Sequence, residues 1–133
     1  MCTGFLWQRG DTLYLITNWH CVTGWHPIEG RSLDNTGFEP ELAVVSIAIA
    51  DTSGKEAERL PDAKVSVVLR DGDRPTWLKH PKFGRHVDVV AIGLDFRDKV
   101  EGGRLLGKPI NAYDYKDLDF QVGDEAFVIG YPM

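Results

Sequence analysis

Short apolar runs separated by turn residues dominate this chain. Six runs have the length of a β-strand and are rich in Val, Ile, Leu, Phe and Tyr. They cover residues 4–8, 12–17, 42–50, 64–70, 87–94 and 125–131. No long segment keeps a helical periodicity, although residues 55–60 and the residues after Asn18 allow a short helical turn. The pattern therefore predicts an all-β fold.

Turn signals containing glycine divide the runs at residues 9–11, 71–73, 101–103 and 122–124. Residues 24–40 hold Pro27, Gly30, Gly37 and Pro40 among polar residues, which predicts a long loop of a kind that is often functional. No internal repeat, low-complexity tract or linker stands out. We expect one domain over residues 1–133, an all-β barrel or sandwich of about six strands.

Composition narrows the class of protein. The 133 residues are 43% hydrophobic and 26% charged, as in an ordinary globular domain. The net charge of −5 comes from acidic residues spread along the chain, which makes nucleic acid an unfavourable partner. No apolar run approaches the roughly 20 residues that cross a bilayer, so we expect no membrane segment. The first residues do not form a secretory signal; the compartment stays undetermined, with the cytoplasm favoured.

The cysteine and histidine spacing does not indicate a metal site. Two cysteines are too few for a disulfide scaffold, and they do not form the Cys-x-x-Cys pair of a zinc site. His26, His80 and His86 are expected to be solvated loop residues. His20 and His26, and likewise His80 and His86, are six residues apart in loops, which is not a spacing typical of metal ligands. We expect neither a metal nor a cofactor.

The chemical signal begins with two short strands and a histidine. Residues 3–6 read Thr-Gly-Phe-Leu, a turn follows at Gly10, and residues 15–20 read Leu-Ile-Thr-Asn-Trp-His. This order resembles the opening of the chymotrypsin-like peptidases, and the Leu-Ile-Thr-Asn-x-His variant resembles the bacterial trypsin-like members. In that family the histidine of Thr-x-x-His is the general base. The resemblance implies this role for His20.

A second stretch carries a carboxylate. Residues 86–92 read His-Val-Asp-Val-Val-Ala-Ile, and the family has an aspartate before such a strand to orient the histidine. The resemblance therefore implies this role for Asp88, with Asp95 as the fallback. Asp88 follows His20 by 68 residues, and the inserted loops explain this spacing because closure entropy grows only slowly with loop length. Residues 122–132 resemble the segment that leaves the first barrel of the family for the second.

A trypsin-like peptidase also needs a nucleophilic serine in a Gly-x-Ser-Gly stretch, and the sequence has none. The chain has four serines, and none stands in such a stretch: Ser32, Ser46, Ser53 and Ser66. The resemblance further implies a disulfide between Cys21, directly after the histidine, and Cys2. Whether the two thiols are oxidised depends on the compartment.

The resemblance implies a six-stranded antiparallel β-barrel over residues 1–133, which would be the amino-terminal half of a trypsin-like serine endopeptidase. The chain carries the catalytic residues His20 and Asp88, and we expect it to be inactive alone because the nucleophile lies beyond its end. The partners are then a protein or peptide substrate and the missing second barrel. One alternative is a non-catalytic β-barrel interaction module related to peptidases. Another is an unrelated small β-barrel binding protein in which His20 is incidental.

Overall fold

The computed structural model describes residues 2–34, 36–47, 49–51, 58–59, 63–94, 104–105 and 109–112. In this part of the chain the regular structure consists of β-strands, one short α-helix and a 3-10 turn at Ile110–Ala112. The helix α1 spans Trp19–Thr23. The strands are β1 Gly4–Arg9, β2 Thr12–Thr17, β3 Leu42–Ile47, β4 Ile49–Asp51, β5 Glu58–Arg59, β6 Ala63–Val68, β7 Arg70–Asp71, β8 Arg74–Pro75, β9 Trp77–Lys79, β10 Val90–Leu94 and β11 Arg104–Leu105. The all-β class is confirmed.

The largest sheet has four antiparallel strands in the order β1-β2-β10-β9. The β1–β2 hairpin turns at Gly10, whose φ of 58° lies in the left-handed region that glycine adopts without strain. Thr17, at the end of β2, pairs with Gly4 on one side and with Val90 on the other. The start of β10 therefore lies beside the end of β2.

The remaining described strands form three smaller sheets. β3 pairs with β6, β7 pairs with β8, and β11, β4 and β5 form a three-stranded sheet. Closing a barrel requires backbone pairing between the β3–β6 pair and the four-stranded sheet. No such pairing joins the strands within the described ranges. The predicted closed six-stranded barrel is therefore not found there, and the sheets are open.

One hydrophobic core joins the four-stranded sheet to the helix and to the β3–β6 pair. Val90, Ile92 and Leu94 alternate along β10 and point to the same buried face, as the two-residue period of a strand requires. Other residues of this cluster come from α1, from β9 and from the segment after β6. The cluster also contains Val22, Leu69 and Trp77, with Leu6, Leu15, Trp19, Ala43 and Val67 packed at its edge.

The strand predictions differ from the structure mainly at their boundaries. Residues 12–17 form β2 as predicted, and β1 runs one residue beyond the predicted 4–8. The predicted strand at 87–94 begins only at Val90, because the preceding residues form the turn that carries Asp88. The helical turn suggested for 55–60 is wrong at Glu58–Arg59, which is a strand. The predicted strand at 125–131 lies outside the described residues.

The chain contains a short internal repeat, contrary to the expectation of none. Residues 26–31 and 80–85 both read His-Pro-x-x-Gly-Arg and adopt the same turn. In each copy the glycine N–H donates to the histidine carbonyl, at 3.0 Å from Gly30 to His26 and 2.9 Å from Gly84 to His80. Both glycines have a positive φ, 66° and 52°. The repeat is local, a shared turn and not a duplicated domain.

None of the described helices has the length and hydrophobicity needed to cross a bilayer.

Candidate active site

The sheet brings the two predicted site residues to the same edge. Asn18 follows the last residue of β2, and Asp88 stands two residues before β10. Because Thr17 pairs with Val90 in an antiparallel register, the segments just outside the two strand ends lie side by side. A separation of 68 residues in the chain thus becomes a direct contact between His20 and Asp88.

The contact joins the His20 ring to the Asp88 carboxylate. His20 Nδ1 lies 2.7 Å from Asp88 Oδ2, within the range that we expect for a histidine oriented by an aspartate. An ionised carboxylate only accepts hydrogen bonds, so the ring donates from Nδ1–H. In the neutral ring the lone pair then resides on Nε2. This is the tautomer that a general base needs.

Asp88 also holds the backbone of the helix that carries the histidine. Its Oδ1 accepts the His20 backbone N–H at 3.0 Å, one of the donors that the first turn of an α-helix leaves unpaired. The same carboxylate group thereby fixes both the main chain and the ring of His20. Such a two-point contact restricts the rotation of the imidazole, because neither end of the residue moves without losing a hydrogen bond.

Asn18 completes the arrangement. Its side-chain Nδ2 donates to the Asp88 carbonyl at 3.0 Å and to Asp88 Oδ2 at 3.3 Å. Asn18 belongs to the Leu-Ile-Thr-Asn-x-His motif, but the motif alone does not indicate a function for it. Its position between the end of β2 and the start of α1, where an Asn commonly caps a helix, is the signal that marks it. Here the side chain binds the partner segment instead of its own helix.

The dyad of His20 and Asp88 is accessible but not fully exposed. The histidine side chain is 36% exposed and the carboxylate 30% exposed. Nδ1 is bound to Asp88, and no described residue forms a hydrogen bond with Nε2. Within the described residues, Nε2 is therefore the ring nitrogen without a hydrogen bond, while Nδ1 is held by Asp88.

Cys2 and Cys21 form a disulfide next to this dyad. Their Cα atoms lie 6.0 Å apart, inside the 4.4 to 6.8 Å expected for such a pair. The bond connects the residue two positions before β1 to the middle of α1, and the Thr17 hydroxyl adds a hydrogen bond to the Thr3 carbonyl at 2.7 Å. The two cysteines that the resemblance pairs thus lie side by side, with their sulfurs joined.

None of the three serines within the described residues hydrogen-bonds to the His20 ring. The Ser32 hydroxyl donates to Asp34 in the long loop at 2.8 Å. Ser46 and Ser66 are exposed on the β3–β6 pair. Ser53 lies outside the described residues, as do the fallback carboxylate Asp95 and the third motif at 122–132. The nucleophile of a peptidase is not found in the part of the chain that the structure describes.

The other histidines have a structural place that we did not predict. His26 Nδ1 accepts the backbone N–H groups of Ile28 and Glu29, at 3.4 Å and 3.1 Å. His80 Nδ1 accepts those of Lys82 and Phe83, at 3.2 Å and 3.1 Å. Both side chains are half-buried and hydrogen-bonded within their turns, whereas His86 is exposed. The repeated hexapeptide His-Pro-x-x-Gly-Arg is the feature of the sequence that indicates these two similar turns.

Comparisons with protein-family models, with curated proteins and with solved structures give no match to this chain. The case for its function therefore depends on the residues and their geometry.

Proposed function

We propose that this chain supplies the general base and its orienting carboxylate to a trypsin-like serine endopeptidase. The observation that carries the proposal is the 2.7 Å contact between His20 Nδ1 and Asp88 Oδ2, made by the two residues that the family motifs select. On this proposal the four-stranded sheet and the β3–β6 pair belong to an amino-terminal barrel. A second barrel, outside this chain, contributes the nucleophilic serine and the oxyanion hole.

The geometry fits the proton transfers of acyl transfer. A serine hydroxyl is a weak nucleophile near neutral pH, so a base must take its proton as it attacks the peptide carbonyl. His20 Nε2 is the available lone pair, and Asp88 stabilises the imidazolium that forms while it keeps the ring in place. The same imidazolium then protonates the leaving amine. Water repeats the sequence to release the acyl group.

The disulfide and Asn18 support the dyad from both sides. The Cys2–Cys21 bond fixes α1 to the start of β1, and Asn18 fixes the end of β2 to the Asp88 backbone. A catalytic group must be held within a few tenths of an ångström to be productive, and these contacts restrict the dyad at two independent points. The arrangement therefore has the supporting contacts that a purely incidental histidine does not require.

The test uses a fluorophosphonate probe, which labels the activated serine of serine hydrolases. The encoded protein that contains this chain is expressed at full length, together with its His20→Ala and His86→Ala variants. We expect labelling of one serine outside residues 1–133, abolished by His20→Ala and retained by His86→Ala. Peptidase activity should fall by a factor on the order of 10⁶ in the His20 variant. Labelling that is independent of His20 would contradict the proposal.

A non-catalytic interaction module is the second candidate, and one observation favours it. Leu42, Val44 and Val68 expose 59%, 65% and 54% of their surface on the outer side of the β3–β6 pair. Contiguous exposed apolar residues often mark a protein interface. A full-length protein that is not labelled by the probe, yet binds a partner through this face, would establish the module instead of the peptidase.

A further inference from the structure

The disulfide beside the dyad places two sulfurs next to the histidine ring. Cys2 Sγ, Cys21 Sγ and a ring nitrogen of His20 all lie within 4.8 Å of one another. Cys21 follows His20 directly in α1, and Cys2 reaches the same point from the residues before β1. The spacing of the cysteines does not by itself indicate a metal site, because Cys2 joins the adjacent residues His20 and Cys21 only in the fold.

We propose that reduction of this disulfide creates a Zn²⁺ site formed by Cys2, Cys21 and His20. Two thiolates and one imidazole are a ligand set that zinc uses in proteins, with a fourth position left open for water. With Zn–S bonds near 2.3 Å and Zn–N bonds near 2.0 Å, the ligand atoms of a tetrahedral site stand roughly 3.5 to 3.8 Å apart. The two sulfurs, now joined by a disulfide, must separate to reach this spacing, and a ring nitrogen of His20 already lies within 4.8 Å of both.

Asp88 prepares the histidine for this role. Ligating histidines in zinc sites usually donate their other ring N–H to a carboxylate, which fixes the tautomer and raises the basicity of the ligand. Asp88 Oδ2 occupies that place at 2.7 Å from Nδ1, so Nε2 is the nitrogen available to the metal. The contact between His20 and Asp88 would thus supply the outer hydrogen bond of a metal site.

Oxidation state controls the site because only free thiolates bind zinc well. A dithiol reductant supplies two electrons and two protons; it becomes a disulfide, and the Cys2–Cys21 bond becomes two thiols. Zn²⁺ then displaces both thiol protons as the sulfurs coordinate it. Cys2 is exposed, which gives the reductant access to the bond. A disulfide oxidant reverses both steps: it takes up two electrons and two protons and becomes a dithiol, the Cys2–Cys21 bond forms again, and the ion is released.

Zinc at this site would occupy the lone pair that the proposed peptidase uses. This consequence rests on the proposed function, since Nε2 cannot coordinate a metal and accept the serine proton at once. The reduced, zinc-loaded form would then be inactive until oxidation frees His20. Metal binding itself does not depend on the peptidase proposal, because its three ligands belong to this chain.

Cobalt titration tests the site without any measurement of activity. The chain is reduced with a tertiary phosphine under anaerobic conditions and titrated with Co²⁺, whose thiolate complexes show a charge-transfer absorption that aqueous Co²⁺ lacks. We expect this absorption to saturate at one equivalent in the reduced chain, to disappear on addition of Zn²⁺, and to be absent from the oxidised chain.

Variants identify the ligands. Asp88→Asn removes only an outer partner of the ligating ring and should weaken Co²⁺ binding to the reduced chain by about 10- to 100-fold. Cys2→Ser and His20→Ala each remove a ligand, so each should weaken binding by at least about tenfold. The matched control is His86→Ala, an exposed histidine away from the cluster, which should bind as the unmodified chain does.

Circular dichroism of the reduced chain accompanies each titration, so that loss of the disulfide is not mistaken for loss of a ligand. The proposal requires His20-dependent binding whether the reduced chain stays folded or folds on adding metal. Binding that is equally strong in His20→Ala, or equally strong in the oxidised chain, would overturn it. A failed fluorophosphonate experiment with a successful cobalt titration would reject the peptidase and leave the metal site standing.

Discussion

Asp88 contacts His20 at two points: Oδ1 accepts the backbone N–H at 3.0 Å, and Oδ2 lies 2.7 Å from the ring Nδ1. One carboxylate therefore sets the position of the helix turn and the tautomer of the imidazole together. Substitution of Asp88 should therefore change both the stability of the chain and the tautomer of His20, and the two effects can be measured separately.

Asp88→Asn should reverse the tautomer of His20. An amide that keeps its oxygen on the backbone N–H presents its NH₂ group to the ring, so Nδ1 must accept and Nε2 must carry the proton. We expect nitrogen-15 NMR of the imidazole to show an Nδ1–H tautomer in the unmodified chain and an Nε2–H tautomer in the variant. The free energy of unfolding should fall by about 1 to 3 kcal/mol, as for lost hydrogen bonds to a charged group.

The control for this exchange is Asp11→Asn, which removes an exposed carboxylate from the β1–β2 turn. It should change neither the His20 tautomer nor, beyond about 0.5 kcal/mol, the stability. An Asp88→Asn chain with an unchanged tautomer would mean that the ring is oriented by something other than the carboxylate.

The sequence predicts the strands and the dyad more reliably than the assembly of the sheets. The apolar run at residues 12–17 predicts β2, which has the same bounds in the structure. His20 and Asp88 are each marked by a short local motif, and the fold brings the two side chains into contact. The pairing partners of β3 and β6 depend on long-range contacts that no local pattern encodes, which is why a closed barrel was expected and open sheets are found.

Residues whose function depends on a partner far along the chain were also missed. Asn18 binds the backbone of Asp88, 70 residues away, and nothing beside Asn18 in the sequence indicates that partner. His26 and His80 form local turns and were missed for a different reason. Their repeated hexapeptide is visible in the sequence, but it signals a turn only once the two copies are compared.

Gly4→Ala should destabilise the chain. A Cβ at Gly4 would lie 2.5 Å from the Ile16 carbonyl oxygen and 2.8 Å from a Leu15 methyl carbon, which is closer than real contacts allow. Because one of these neighbours is backbone, the β1–β2 pair must shift. We expect a loss of about 1 to 3 kcal/mol in denaturant unfolding, as for other overpacked sites.

Gly93→Ala is the matched control for this steric effect, since no atom lies within 4 Å of a Cβ built there. It should be neutral or stabilise the chain by a few tenths of a kcal/mol through the unfolded state. Equal destabilisation by both variants would show that strand glycines matter here for a reason other than the close approach at Gly4.

Loss of the Cys2–Cys21 disulfide should lower thermal stability. The bond closes a loop with a sequence separation of 19, and the chain-entropy model gives about 3 kcal/mol for a loop of this size. We expect the Tm of the reduced chain to fall by roughly 10 °C. The double variant Cys2→Ser, Cys21→Ser should match the reduced chain and should not respond to reductant. A Tm that is insensitive to reduction would contradict the prediction.

His80→Ala should loosen the turn that precedes Asp88. The variant loses two hydrogen bonds, from the backbone N–H groups of Lys82 and Phe83 to Nδ1, and with them about 1 kcal/mol of stability. Amide hydrogen exchange at these two positions should become faster. His86→Ala serves as the control because His86 is exposed and outside the turn repeat. Unchanged exchange in His80→Ala would show that the turn is held by its backbone alone.

The long loop should lose a stabilising contact in acid. The Thr36 hydroxyl, the Thr36 backbone N–H and the Ser32 hydroxyl all donate to Asp34 and hold the pKa of its carboxyl below the ordinary value of 3.8. A carboxyl whose pKa is lower in the folded state stabilises that state above the ordinary pKa, and the contribution disappears as the pH falls through the folded value. We expect an NMR titration of Asp34 to have its midpoint below 3.8, with amide exchange at Thr36 accelerating over the same range.

Thr36→Val, which keeps the backbone donor but removes the hydroxyl, should move the midpoint back toward 3.8. A midpoint at or above 3.8 in the unmodified chain would show that these hydrogen bonds do not form in solution.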